Sequence, residues 1–129
     1  MQKNTASQKI MLFAFTPADG LPKTGDAANI TAYVSKDFGA VTVLGDTTAT
    51  EMDATNAKGW YLFDLTQGET NGDELLFTGK SSTGGVSLVG RPVATVPAKF
   101  TTLVIDSAGL VDANAVKLGP TGAGTAQTE

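Results

Sequence analysis

The chain reads as an all-β protein, an immunoglobulin-like antiparallel β-sandwich, and three observations predict it. Short apolar runs alternate side to side, most sharply in Gly59–Leu65. There Tyr61, Phe63 and Leu65 share one face, and Trp60, Leu62 and Asp64 the other, because side chains two residues apart point the same way from a strand. Turn residues separate the runs, with 15 glycines and 5 prolines in 129 residues, as expected where many short strands must reverse. Helical periodicity is missing outside one short corner. In that corner Thr66-Gln67-Gly68-Glu69 has the Thr-x-x-Glu spacing of a capping box, in which each side chain satisfies a backbone N–H of the other. A strand, a one-turn corner and a strand carry a sandwich from one sheet to the other. A small barrel is the alternative.

In order, residues 1–7 (MQKNTAS) are polar and predict a mobile N-terminal arm. Lys9–Phe15 is a first strand, apolar on both faces and so expected to be covered on each side. Thr16–Gly25 holds Pro17, Asp19-Gly20, Pro22 and Gly25, all turn residues. Ile30, Ala32 and Val34 alternate with Thr31, Tyr33 and Ser35 in a second strand, and Lys36-Asp37-Phe38-Gly39 makes a hairpin turn. Ala40–Leu44 is a third strand, with Val41 and Val43 on one side; the Thr-rich Thr47–Asp53 suits an edge.

Ala54–Lys58 loops into the Gly59 strand. After the corner and Thr70-Asn71-Gly72-Asp73, Glu74–Thr78 is a strand that the turn Gly79–Gly85 closes. Val86–Val89 follows, bent at Gly90-Arg91-Pro92; Val93–Val96 continues an edge, where proline is tolerated. Phe100–Ile105 and Leu110-Val111 are a last pair of short strands around the turn Asp106–Gly109. The division is thus an arm at 1–7, a sandwich over 8–111, and a small, polar, Gly-rich extension at 112–129, ordered only against a partner.

Composition narrows function by exclusion. The net charge is −4 and the basic residues are scattered singly, which gives no electrostatic footprint for nucleic acid or an anionic membrane. Histidine and cysteine are both absent, so disulfides, thiolate chemistry, the commonest zinc sites and a histidine base are excluded. Ile10–Phe15 is too short for a signal-peptide core and runs at once into turn chemistry. No stretch approaches a transmembrane helix, and the expectation is a soluble protein.

The chemical motifs are weaker than their bland readings. Gly79-Lys80-Ser81 ends like a phosphate loop, but Glu74 stands where that loop needs a glycine, and Ser82–Gly85 forbids the helix. A hairpin turn is the better reading. Asp19, Asp26, Asn71, Asp73 and Glu74 lack the alternating oxygen spacing of a calcium loop and read as solvated turn residues. Asp64, Glu69, Asp73 and Glu74 could be paired as glycosidase carboxylates, yet nothing sets two of them across a groove. Asn29-Ile30-Thr31 is a glycosylation sequon lying on a strand. Trp60, Tyr61 and Phe63 could form a sugar platform, but aromatic residues in such a strand are more often core. The expectation is not an enzyme, with no catalytic, cofactor-binding or metal residues and no cofactor.

One resemblance remains. Gly59-Trp60-Tyr61-Leu62-Phe63-Asp64-Leu65-Thr66, with Glu69-Thr70-Asn71-Gly72-Asp73, resembles a domain widespread in tailed-phage structural proteins. Ser35-Lys36-Asp37-Phe38-Gly39 and Phe100-Thr101-Thr102-Leu103-Val104-Ile105-Asp106 share the likeness, which spans roughly residues 8–112. The domain looks like the N-terminal β-sandwich of phage baseplate upper proteins and of head or neck fibres. That resemblance implies a virion attachment module without catalytic residues. A short chain with flexible ends suits a capsid decoration or cement protein on the outside of the head. Its partners would be the major capsid protein or other virion proteins, and further copies of itself, a trimer among the options. An anchor at the neck, tail fibre or baseplate is the alternative, and a carbohydrate-binding surface module is the alternative from another class.

Overall fold

A computed structural model describes residues 1–97. They fold as nine strands in two antiparallel sheets, with one 3-10 turn, Ala27–Asn29. The strands are β1 Gln8–Thr16, β2 Leu21–Pro22, β3 Ile30–Lys36, β4 Thr42–Val43, β5 Thr50–Asp53, β6 Ala57–Leu65, β7 Glu74–Ser81, β8 Ser87–Val89 and β9 Arg91–Ala94. One sheet runs β2-β1-β6-β5, with β8 also on β1; the other runs β4-β3-β7-β9.

The core follows from the alternation. Ile10, Leu12 and Ala14 of β1 and Tyr61, Phe63 and Leu65 of β6 face Ile30, Ala32 and Val34 of β3 and Leu75 and Phe77 of β7. Register carries this pattern from strand to strand: Ile10 pairs with Phe63 and Leu12 with Tyr61, while Val34 pairs with Phe77. Each inward residue thus meets inward residues across its own sheet as well as across the core.

The corner between β6 and β7 joins the two sheets as expected. Thr66 N–H donates to Glu69 Oε2 (2.8 Å), and Glu69 N–H donates to Thr66 Oγ1 (3.4 Å). The second Glu69 oxygen accepts from Gly45 N–H (2.6 Å), tying the corner to the loop after β4. Close approach explains two glycines where the chain meets a neighbouring strand's backbone. Gly59, at φ 82°, lies so near β1 that an added Cβ would stand 2.7 Å from both Ala14 O and the Phe13 ring. Gly90 lies between β8, paired with β1, and β9, paired with β7, so the chain changes sheets there. A Cβ on Gly90 would come within 3.0 Å of Phe77 O.

Several expectations are corrected. Residues 1–7 are not a free arm. Gln2 bridges Val96 in parallel, Lys3 N–H donates to Val96 O (2.8 Å), and Asn4 N–H donates to Thr70 O (3.0 Å). Thr5 N–H donates to the buried Thr70 hydroxyl (2.9 Å), and Met1 packs against the core. β1 is fully buried on one face only and partly covered on the other, where Met11, Phe13 and Phe15 are of intermediate exposure. The third strand shrinks to Thr42–Val43: Val41 and Val43 face solvent, and only Leu44 enters the core. Gly79-Lys80-Ser81 continues β7, paired with Ala32, Thr31 and Ile30, and the turn begins at Ser82. The strands expected at Phe100–Ile105 and Leu110-Val111, the boundary at 111 and the extension at 112–129 lie outside the described residues.

Candidate interaction surfaces

The outer face of the β1-β6 sheet carries an aromatic cluster. Pairing places Phe13 between Trp60 of β6 and Val89 of β8, with Met11 beside Leu62. The Phe13 and Trp60 rings are 5.2 Å apart and tilted at 48°; Phe13 and Phe15 stack at 6.1 Å. Trp60 remains 42% exposed and Val89 50%. Met11, Phe13, Trp60, Val89, Gly90 and Arg91 line a shallow depression of about 290 Å³. Arg91 at its rim has no ion-pair partner among the described residues. One end of the face is closed by the Lys9–Asp64 ion pair across β1 and β6. Apolar side chains that neighbour one another across strands and stay in contact with solvent are the kind of feature from which interaction surfaces are built.

The outer face of the β4-β3-β7-β9 sheet is also partly apolar. It holds Tyr33, Val43 and Leu76, with Pro92 paired opposite Leu76. The ammonium of Lys80 sits 5.6 Å from the Tyr33 ring centre. At one end the β3–β4 hairpin turns through Asp37 and Phe38, at φ 49° and 62°, with Gly39 N–H donating to Lys36 O (2.9 Å). Left-handed backbone at two non-glycine residues costs energy. It is held by the Asp37 carboxylate, which accepts from the N–H groups of Asp73 (2.8 Å) and Glu74 (3.0 Å). The Glu74 and Asp73 donors hold that carboxyl below its usual value. The Phe38 side chain is left 91% exposed, above a groove of about 250 Å³ lined by Ser35, Leu75, Leu76 and Pro92.

The residues weighed in the sequence are dispersed. Tyr61 and Phe63 are fully buried, as the core reading expects, whereas Trp60 faces out; neighbours on a strand point to opposite faces, so Trp60 and Tyr61 do not form one platform. Tyr61 instead braces the loop after β2, where its hydroxyl donates to Lys23 O (2.9 Å) and accepts from Asp26 N–H (3.0 Å). The carboxylates are engaged separately, Asp64 with Lys9, Glu69 in the corner and Asp73 with Lys3 (2.9 Å). Among the described residues no His, Cys, Asp or Glu cluster is arranged to hold a metal.

Asp26 is not a solvated turn residue. It is 2% exposed, and its carboxylate accepts from Ser81 Oγ (2.6 Å), Thr83 Oγ1 (2.5 Å) and Asn29 Nδ2 (3.0 Å). Burial alone would raise its carboxyl, but the Ser81, Thr83 and Asn29 donors, with Lys23 nearby, outweigh that and hold it below the usual value. Neither the outer-face aromatic cluster nor the buried Asp26 is anticipated from the sequence. The cluster has a signal in the apolar second face of Lys9–Phe15; Asp26, whose two hydroxyl donors lie 55 and 57 residues away at and beyond the end of β7, has none.

Comparison with protein-family models, curated proteins and solved structures finds no match to this chain.

Proposed function

We propose that this chain is a non-enzymatic structural component of a tailed-phage virion, a decoration or cement protein held on the outside of the head. The observation that carries the reading is the aromatic pair of partly buried Phe13 and exposed Trp60 on the outer face of the β1-β6 sheet. Aromatic anchors within an apolar depression, with arginine at the rim, have the composition of a protein–protein hot spot. The major capsid protein is the intended partner, and copies repeated over a symmetric shell add through avidity.

Two further features support it. The sequence over Gly59–Asp73 resembles virion attachment domains. The strand order, β5-β6-β1 facing β4-β3-β7-β9, is compatible with the D-E-B and C′-C-F-G order of an immunoglobulin-like sandwich. An anchor at the neck, tail or baseplate would use the same face, and copy number separates the two.

Quantitative mass spectrometry of purified virions tests the proposal. A ratio to the major capsid protein near one, or a simple fraction of one, is expected. A handful of copies per particle would move the protein to the neck or tail, and absence from the particle would overturn the virion reading.

A further inference from the structure

We infer that the outer face of the β4-β3-β7-β9 sheet is an interface for a second copy of this chain, related by a two-fold axis that lies between the two facing sheets, perpendicular to β7 and level with Phe77. This goes beyond the virion reading and does not depend on it. The outward residues of β7 are, in order, Glu74, Leu76, Thr78 and Lys80. That stripe is self-complementary. A copy turned end for end over Phe77 sets Glu74 against the second copy's Lys80 and Leu76 against its Thr78, at both ends at once. An isologous interface requires this arrangement, in which residue i meets j and j meets i.

The charges are available for such pairing. Glu74 and Lys80 are both exposed, and neither has an ion-pair partner among the described residues. They lie six residues apart on one strand, about 20 Å, so each acts on the opposite end of its counterpart and not on its own neighbour. Lys80 is poised over Tyr33 on the same face. Facing sheets pack about 10 Å apart, a gap that two long side chains can span.

The apolar part of the face points the same way. Leu76 is 43% exposed, and Phe38 is held almost wholly in solvent by a hairpin whose backbone is strained. An aromatic ring kept away from its own core at a conformational cost is covered when another surface meets it. The outward stripe of β6, Lys58, Trp60, Leu62 and Asp64, has a similar charge spacing, but its Asp64 is already paired with Lys9, whereas both charges of the β7 stripe are free among the described residues.

Sedimentation equilibrium of the full chain over a range of concentrations tests the inference. A monomer–dimer equilibrium is expected. Glu74→Lys and Lys80→Glu, made singly, should each weaken it at least tenfold by setting like charges together. The double reversal should restore the wild-type constant, because each end again meets its opposite. Circular dichroism checks that these surface variants fold. If a reversal does not fold, Glu74→Gln and Lys80→Gln should each still weaken the dimer several-fold. A chain monomeric at every concentration, an oligomer indifferent to single reversals, or a double reversal no tighter than either single one would overturn the inference.

Discussion

Asp26 keeps a carboxylate almost out of contact with solvent, and its three side-chain donors meet at one end of the β3–β7 pair, where Ile30 is opposite Ser81. Asn29 is local, while Ser81 and Thr83 belong to the end of β7 and the turn beyond it. Asp26→Asn would turn an amide N–H₂ toward at least one hydroxyl that now donates. A loss on the order of 2 kcal/mol is expected, by the cost of breaking a buried hydrogen bond to a charged group; urea unfolding at neutral pH measures it. The pH dependence has a definite sign. The folded carboxyl lies below its usual value, so its contribution is complete above the unfolded value, about 3.9, and is lost as pH falls through the lower folded one. The difference between wild type and Asp26→Asn should therefore shrink below about pH 4. A constant difference down to pH 2 would contradict the assignment. The sequence suggests a turn for Asp26 because aspartate is common there; partners 55 and 57 residues away leave no local trace.

At the level of the strand and turn, legibility follows the range of the interaction. The Thr66–Glu69 capping box is written within four residues, and it forms as its spacing predicts. The alternation in β3 and β6 is equally plain, since burial on one face imposes it. The length of β4 is not, because Val41 and Val43 fit a strand yet face solvent. β7 runs through Gly79 because seven consecutive register pairs with β3 outweigh a glycine's weak preference for turns. Gly59→Ala should destabilise by about 2 kcal/mol or more, since a Cβ meets backbone as well as demanding positive φ; thermal unfolding checks it. Phe38→Gly should act in the opposite direction. Relieving a left-handed, unburied Phe38 is expected to stabilise the monomer by about 1 kcal/mol, while the same change removes apolar contact from the β3–β7 face and weakens self-association. A calorimetric scan paired with sedimentation would show both shifts.

Taken whole, the described residues form two sheets with different outer faces, and each face makes its own prediction. Trp60→Glu should leave the melting temperature within a few degrees of wild type, because Trp60 is half outside the core. It should abolish retention on capsids in a co-sedimentation assay if the β1-β6 face is the attachment surface. Undiminished retention would assign attachment elsewhere. The distinction between these faces is invisible in the sequence, because alternation identifies an outward residue but not its neighbours on other strands.

The bridge between Gln2 and Val96 gives the fold a mechanical character. Its strands run parallel, and two hydrogen bonds join them, Lys3 N–H to Val96 O and Val96 N–H to Met1 O (2.9 Å). Tension applied at residue 1 and at residue 97 pulls these segments past each other, so both bonds bear load together instead of opening in turn. Optical-tweezer extension from residues 1 and 97 should require more force than extension from residue 1 and the β5–β6 turn at Thr55. The contacts that correct the expected free arm thus act as a shear clamp on the ends of the domain.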